Sequence, residues 1–419
     1  MSDTYTKFRN EVMAGGADNP DLEPTAGGPT ALLGMGILGL LLVALYMWSP
    51  WAFLLVIGLL ISIFLHELGH FSTARWTGMK VTQFFLFMGP KLWSFRRGET
   101  EYGVRAYPLG AFVRIIGMNN LDEVDPADES RAYRNKSYPR RMLVITAGSI
   151  MHILIAIVLI FSVYAVNGRR VETGRVGIGS VVVGQPAEQA GVEAGDIIVS
   201  INGVTPATPD AFVDEIRAHN PGDSVVLVID RDGQTLQKEV GLGANPNPGE
   251  AFGKAFLGVA SGNEVGWNNQ SILSAARDSV FDLGPIMWQS MGGVVKVLNP
   301  VNILGHLAGT NEDPNTRPTT VVGISQLSST IGDEAGLGGL LLTLAAINVF
   351  VGLLNMFPVL PFDGGHAAIA TYERLRSRRG QEPYRADIAK MVPVAMTMMV
   401  VLGLLFFTGL YLDVVKPVR

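Results

Sequence analysis

Two histidines and a glutamate stand within five residues at the end of an apolar run, where Ile61 to Trp76 reads ISIFLHELGHFSTARW. On a helix, His66 and His70 are four residues apart and point from one face, where two neutral imidazoles can bind one Zn²⁺. Glu67 lies beside them, placed to take a proton from a water activated at the metal. Ionisable groups set against lipid cost free energy and usually mark a functional site. The bland alternative is a pair of helix-end histidines solvated at the membrane edge, with Glu67 reaching for water.

The HExxH spacing is that of zinc proteases. A catalytic zinc takes three protein ligands and keeps one position open. No further histidine follows within Phe71 to Trp76, which excludes the HExxHxxGxxH arrangement. Cysteine is absent, so any metal must be held by His, Asp or Glu, and disulfides are excluded. The other ionisable group set against an apolar run lies in NMFPVLPFDGGH, Asn355 to His366. The helix before it should break near Pro358, freeing backbone where Asp363 arrives. Alone, Asp363-Gly364 would read as an ordinary turn, but HELGH shifts the balance toward a third ligand. His152 is a poor fourth ligand, because water needs that position, and it reads as hydrogen-bonded structure. Asn348 and Asn355 are seven apart and share a helix face. They either join helices by hydrogen bonds, or Asn355, close to the break, engages substrate backbone or the developing oxyanion.

The chain that must position these groups has 419 residues, 48% of them hydrophobic and 16% charged, with a positive mean hydropathy. That balance indicates a membrane protein carrying a soluble part. The net charge of -5 and the lack of a dominant cationic cluster argue against nucleic acid as a partner. Five runs approach the roughly 20 apolar residues that cross a bilayer: 31–48, 51 to about 72, 142–166, 338–357 and 391–412. Ser49-Pro50 separates the first two, which are expected to form a tight hairpin. Basic residues crowd the 73–141 and 372–390 loops, so both are expected in the cytoplasm, the 167–337 segment outside, and the N-terminal tail inside. On that count the HELGH span and the span before Asp363 both run inward, and the two motifs can meet at the cytoplasmic end.

Within 73–141, VTQFFLFMGPKLWSF and YGVRAYPLGAFVRIIG carry β-branched and aromatic residues broken by turns, a small sheet at the membrane face. Residues 171–243 alternate strand-like runs with one helical stretch, an α+β pattern. The expected division is a disordered tail 1–30, an extra membrane helix 31–48, an N-terminal core half 51–166, an α+β domain 171–243, an outer linker with amphipathic helices 244–337, and a C-terminal core half 338–412.

With HELGH on a membrane helix, N-x-x-P-x-x-P-F-D-G on a later one and a PDZ-like segment between, the chain resembles the site-2 protease family of intramembrane zinc metalloproteases. It is most similar to the bacterial regulator-of-sigma-E-protease type. The resemblance covers about residues 51–412. It implies four core transmembrane helices, a membrane-associated β element that includes PLGAFV, and an inserted PDZ domain; the extra N-terminal helix 31–48 has no counterpart in the minimal four-span form. It implies that His66, His70 and Asp363 hold Zn²⁺, that Glu67 is the general base, and that Asn355 contacts substrate or oxyanion. Substrates would be transmembrane segments of single-span membrane proteins, such as anti-sigma factors or remnant signal peptides, in the bacterial plasma membrane. The PDZ-like segment, outside the cell, would take a peptide or chain end. Two patterns depart from the family: PLGAFV replaces PLGGYV, and Gly148-Ser-Ile-Met-His152 replaces Gly-Pro-x-x-Asn. The rival reading is a catalytically vestigial PDZ-containing membrane scaffold, against which the intact HELGH and Asp363 stand.

Overall fold

The computed structural model describes residues 29–118, 122–247, 251–311, 313, 316–377 and 383–416. The expected tail lies outside them up to residue 28. The chain divides into two compact units, Tyr164–Ala275 and the remainder on either side of it.

The larger unit begins with helices α1 (Pro29–Trp48) and α2 (Pro50–Trp76). Ser49 is extended between them and its hydroxyl accepts from Ala52 N–H, capping α2 while Pro50 fills its first turn. The pair is a hairpin. Gly34 at the start of α1 lies against the Leu92 side chain, in the same β element whose Phe84 ring meets Phe64 and Phe71 of α2.

That element comprises β1 (Val81–Arg97) and β2 (Thr100–Ile115), antiparallel and each bent back on itself. The registers Leu86↔Ala111, Leu86↔Val104 and Trp93↔Val104 place four short runs side by side, with 111–115 along one edge. Buried Phe85 and Phe112 stack with ring centroids 5.6 Å apart, and the Arg105 guanidinium lies 4.9 Å from each. Buried Lys91 pairs with Glu101, 3.2 Å away. A buried charge is tolerated here because it is paired.

Helix α3 (Tyr138–Asn167) leaves this layer and leads into the smaller unit. There, β3 (Arg169–Val181), helix α4 (Pro186–Gln189), β4 (Ile197–Ile201), helix α5 (Pro209–Arg217), β5 (Ser224–Arg231) and β6 (Gln234–Gly241) precede the short β7 (Gly243–Ala244) and β8 (Ala255–Phe256), then β9 (Val259–Asn268). The five-stranded sheet runs β6-β5-β4-β3-β9. Alternation sends Val225, Leu227 and Ile229 inward to meet Ile201, Phe212 and Ile216. Each such fully buried side chain contributes roughly 1.5–3 kcal/mol. The expected boundary at 243 is too early: β9 lies within the stretch read as linker, yet it pairs along β3 from Arg169↔Asn268 to Val181↔Val259. Its Gly-rich sequence VASGNEVGWN hides the strand pattern.

Three helices follow, α6 (Ile272–Phe281), α7 (Leu283–Val297) and α8 (Pro300–Ala308), in the region expected to hold amphipathic helices. Helix α9 (Val321–Asn355) is broken at Gly336, whose φ of 59° is a left-handed value that glycine adopts without a Cβ penalty. The break sets the start of the apolar segment at Ala335–Asn355. Helices α10 (Asp363–Arg376) and α11 (Val392–Val415) complete the unit.

Among the described residues, five helices are long and apolar enough to cross a membrane: Ala31–Trp48, Pro50–Trp76, Tyr138–Asn167, Ala335–Asn355 and Val392–Val415. Lipid offers no hydrophobic drive for helices to associate, so close approach at small residues matters most. Accordingly, Gly58 of α2 faces Leu344 of α9, and Gly69 of α2 faces the Ala147 carbonyl of α3.

Candidate metal centre

His66 and His70 lie on the last turns of α2, on the face that packs against α3. Asp363 begins α10, one loop beyond the end of α9 at Asn355. The chain returns tightly there, because a Cβ on Gly364 would fall 2.2 Å from the Met356 carbonyl oxygen and one on Gly365 2.5 Å from Leu360 N. The two glycines let the start of α10 sit inside the broken loop, which brings the Asp363 carboxylate to α2.

His66 Nε2 and His70 Nε2 are 3.2 Å apart, and Asp363 Oδ2 lies 3.1 Å from His70 Nε2 and 3.5 Å from His66 Nε2. Three bonds of about 2.0–2.1 Å at tetrahedral angles would hold their donor atoms roughly 3.3 Å apart. The observed triangle has that size. His70 Nδ1 donates to the Val144 carbonyl at 2.7 Å, which leaves its Nε2 lone pair directed at the cluster. The surroundings are shaped to match: a Cβ on buried Gly148 of α3 would lie 2.5 Å from His70 Nε2 and 2.6 Å from His66 Nε2. The donor set, the fixed tautomer and the missing side chain together fit Zn²⁺.

Asn355 Nδ2 donates to Asp363 Oδ2 at 2.8 Å and lies 3.2 Å from His66 Nε2, so an amide donor stands at the cluster. Glu67, next in sequence to His66, faces the backbone N–H of Val113 on the edge run of β2. The carboxylate therefore lies between α2 and the β element.

His152 comes close, with its ring centroid 5.0 Å from that of His66, but belongs to a different contact. Its Nδ1 donates to Asn348 Oδ1 at 2.8 Å, and Asn348 Nδ2 donates to the Leu344 carbonyl at 2.8 Å. The pair ties α3 to α9. All five residues singled out from sequence, His66, Glu67, His70, Asn355 and Asp363, are thus brought to one place, while His152 and Asn348 form a buried structural link beside it. Three contributors were not legible: Gly148, the Val144 carbonyl and the Val113 N–H. Gly148 alone left a trace, as the retained glycine of an otherwise altered Gly-Pro-x-x-Asn pattern.

Comparison with known proteins agrees with this geometry. Residues 54–400 match the model of peptidase family M50. The chain is 33% identical over 402 residues to the zinc metalloprotease Rip1 of Mycobacterium tuberculosis, covering 87% of this chain and 97% of that protein. It is 30% identical over 403 residues to the Rip1 of Mycolicibacterium smegmatis, with the same coverage. Among solved structures, the PDZ domain of an SdrC-like protein from Listeria monocytogenes matches 22% of this chain and 90% of that one at 25% identity, with a TM-score of 0.19. The chain belongs to peptidase family M50, and is a membrane-embedded zinc metalloendopeptidase of the site-2 protease type that acts in regulated intramembrane proteolysis.

Proposed function

We propose that His66, His70 and Asp363 hold the catalytic Zn²⁺ and that Glu67 is the general base in hydrolysis of a peptide bond within transmembrane segments of single-span membrane proteins. The observation that carries this reading is the set of three donor atoms, all within 4.8 Å of one another. Bound there, Zn²⁺ supplies Lewis-acid polarisation of the scissile carbonyl and of water. Glu67 takes the proton of the attacking water and passes it to the leaving amine, while the Val113 N–H faces its carboxylate. Asn355 donates from Nδ2 to the substrate carbonyl as negative charge develops on its oxygen. Val144 keeps the His70 tautomer fixed throughout.

A substrate helix hides its carbonyls in its own hydrogen bonds, so it must unwind before attack. The edge run 111–115 supplies backbone groups to receive the extended segment by strand addition, beside the Glu67 carboxylate. The arrangement is four core spans with α1 as an extra one, placed in a bacterial plasma membrane. Basic residues around 73–141 and 372–390 support a metal centre near the cytoplasmic side and an extracytoplasmic 167–337 segment.

The smaller unit is read as a PDZ domain that admits trimmed substrates. A groove of about 150 Å³ between α5 and the start of β9, lined by Val213, Arg217 and Phe256, suits a chain end or extended peptide. The deciding experiment measures zinc content and cleavage of a single-span substrate for the parent and Glu67→Gln. The expected result is a loss of at least about a hundredfold in cleavage with zinc retained. Equal processing by both would leave a vestigial scaffold as the better description.

A further inference from the structure

A second cavity, of about 650 Å³, opens among the start of α3, the C-terminal half of α10 and the segment leading to α11. Among the described residues its wall carries Arg134, Lys136, Arg141, Arg374 and Arg385 together with Glu373, and Arg134 is itself paired with Glu129, 2.7 Å away. The walls are pinned together. Arg141 Nη1 lies 2.8 Å from Glu373 Oε2, Glu373 Oε1 accepts from Ala386 N–H at 2.9 Å, and Arg385 donates to Asn135 Oδ1 at 2.9 Å and to the Arg134 carbonyl.

With Arg141 paired to Glu373 and Arg134 to Glu129, the positive charge of Lys136, Arg374 and Arg385 is left without an ion-pair partner among the described residues. Burial, together with neighbouring Arg140 and Arg131, holds the Lys136 amine below its ordinary pKa. Arg385 is likewise lowered, by burial first; Glu373 opposes this, Arg141 and Arg134 add to it, and Glu129 opposes it in turn. Retention of basic residues at the cytoplasmic face accounts for cations in these loops, but not for their convergence. Segments about 240 residues apart in sequence build one concave site of ordinary ligand-binding size.

We propose that this cavity binds a phosphate-bearing anion, either the headgroup of an anionic phospholipid or a free phosphate compound. Occupancy would brace the start of α3 against α10. These helices carry Val144, which orients His70, and Asp363, so the cavity adjoins the scaffold of the metal centre without contributing to its chemistry.

The full-length protein would be reconstituted in vesicles of phosphatidylcholine with or without phosphatidylglycerol, and retained lipid counted by native mass spectrometry. A parallel arm in detergent would titrate inorganic phosphate and follow the unfolding midpoint. The parent should retain phosphatidylglycerol preferentially, or be stabilised by phosphate, and the two arms separate a lipid from a soluble source. Lys136→Gln with Arg374→Gln leaves the Arg141–Glu373 contact in place and should weaken the preference roughly thirtyfold, from the increment each cation makes at an anionic surface. Arg96→Gln with Arg97→Gln, exposed on β1, removes the same charge elsewhere and should leave it unchanged. No preference and no phosphate stabilisation in the parent, or equal losses in both double variants, would overturn the site.

Discussion

Gly148→Ala isolates the geometry of the metal centre from the stability of the fold. The added Cβ would stand 2.3 Å from His66 Cε1, 2.5 Å from His70 Nε2 and 2.6 Å from His66 Nε2. Non-bonded carbon contacts are comfortable at about 3.5 Å, so the imidazoles must retreat by roughly 1 Å. Metal sites tolerate only about 0.2 Å in their bond lengths. Losing a partner that merely orients a ligand costs about 10–100-fold in metal affinity, and moving two ligands directly should cost at least a hundredfold. The effect on the helix has the opposite sign: alanine within α3 is favoured over glycine by roughly 0.5–1 kcal/mol. The signature is therefore a protein whose unfolding midpoint in chelator is at or above that of the parent, but which gains little from added zinc. The assay is zinc per chain by elemental mass spectrometry after dialysis, alongside midpoints with zinc or chelator and cleavage of a single-span substrate. Parent-level zinc with cleavage inside tenfold of the parent would refute the placement of Gly148 against both imidazoles.

Asn355→Ala should lower kcat by about 10²–10³ while zinc content changes little, because the amide contacts the cluster but is outside the three-donor set; a loss confined to KM would contradict its role at the oxyanion. Proline at Phe112 and Val113 removes backbone donors from the edge run, including the one that faces Glu67. Cleavage should fall with zinc unchanged, and normal turnover would dismiss strand addition there. Val213→Asp places a charge in the groove beside α5, and should raise cleavage of an untrimmed membrane protein relative to its trimmed form. Unchanged selectivity in that comparison would leave the smaller unit as a spacer.

How much of this site was legible in the sequence follows from how each part is encoded. His66 and His70 are related by the helix repeat, which is local, and Asp363 is marked by a proline break and a polar group set against an apolar run. Their convergence followed from counting spans between basic loops. Gly148, Val144 and Val113 act through backbone or through the absence of a side chain, so their residue types carry little signal; only packing reveals that a hydrogen atom is all that fits opposite two imidazoles. The late boundary of the smaller unit has a similar origin. β9 is recruited by pairing with β3 rather than by its own alternation, and its glycines and polar residues look like linker until the partner strand is known. His152 shows the converse, since a buried imidazole whose ring centroid lies 5.0 Å from that of His66 invites a metal role by type and position. Its Nδ1 is committed to Asn348, whose own amide is committed to Leu344. A buried polar residue is thus assigned by where its hydrogen bonds go: those of His70 and Asn355 lead into the centre, and those of His152 lead away.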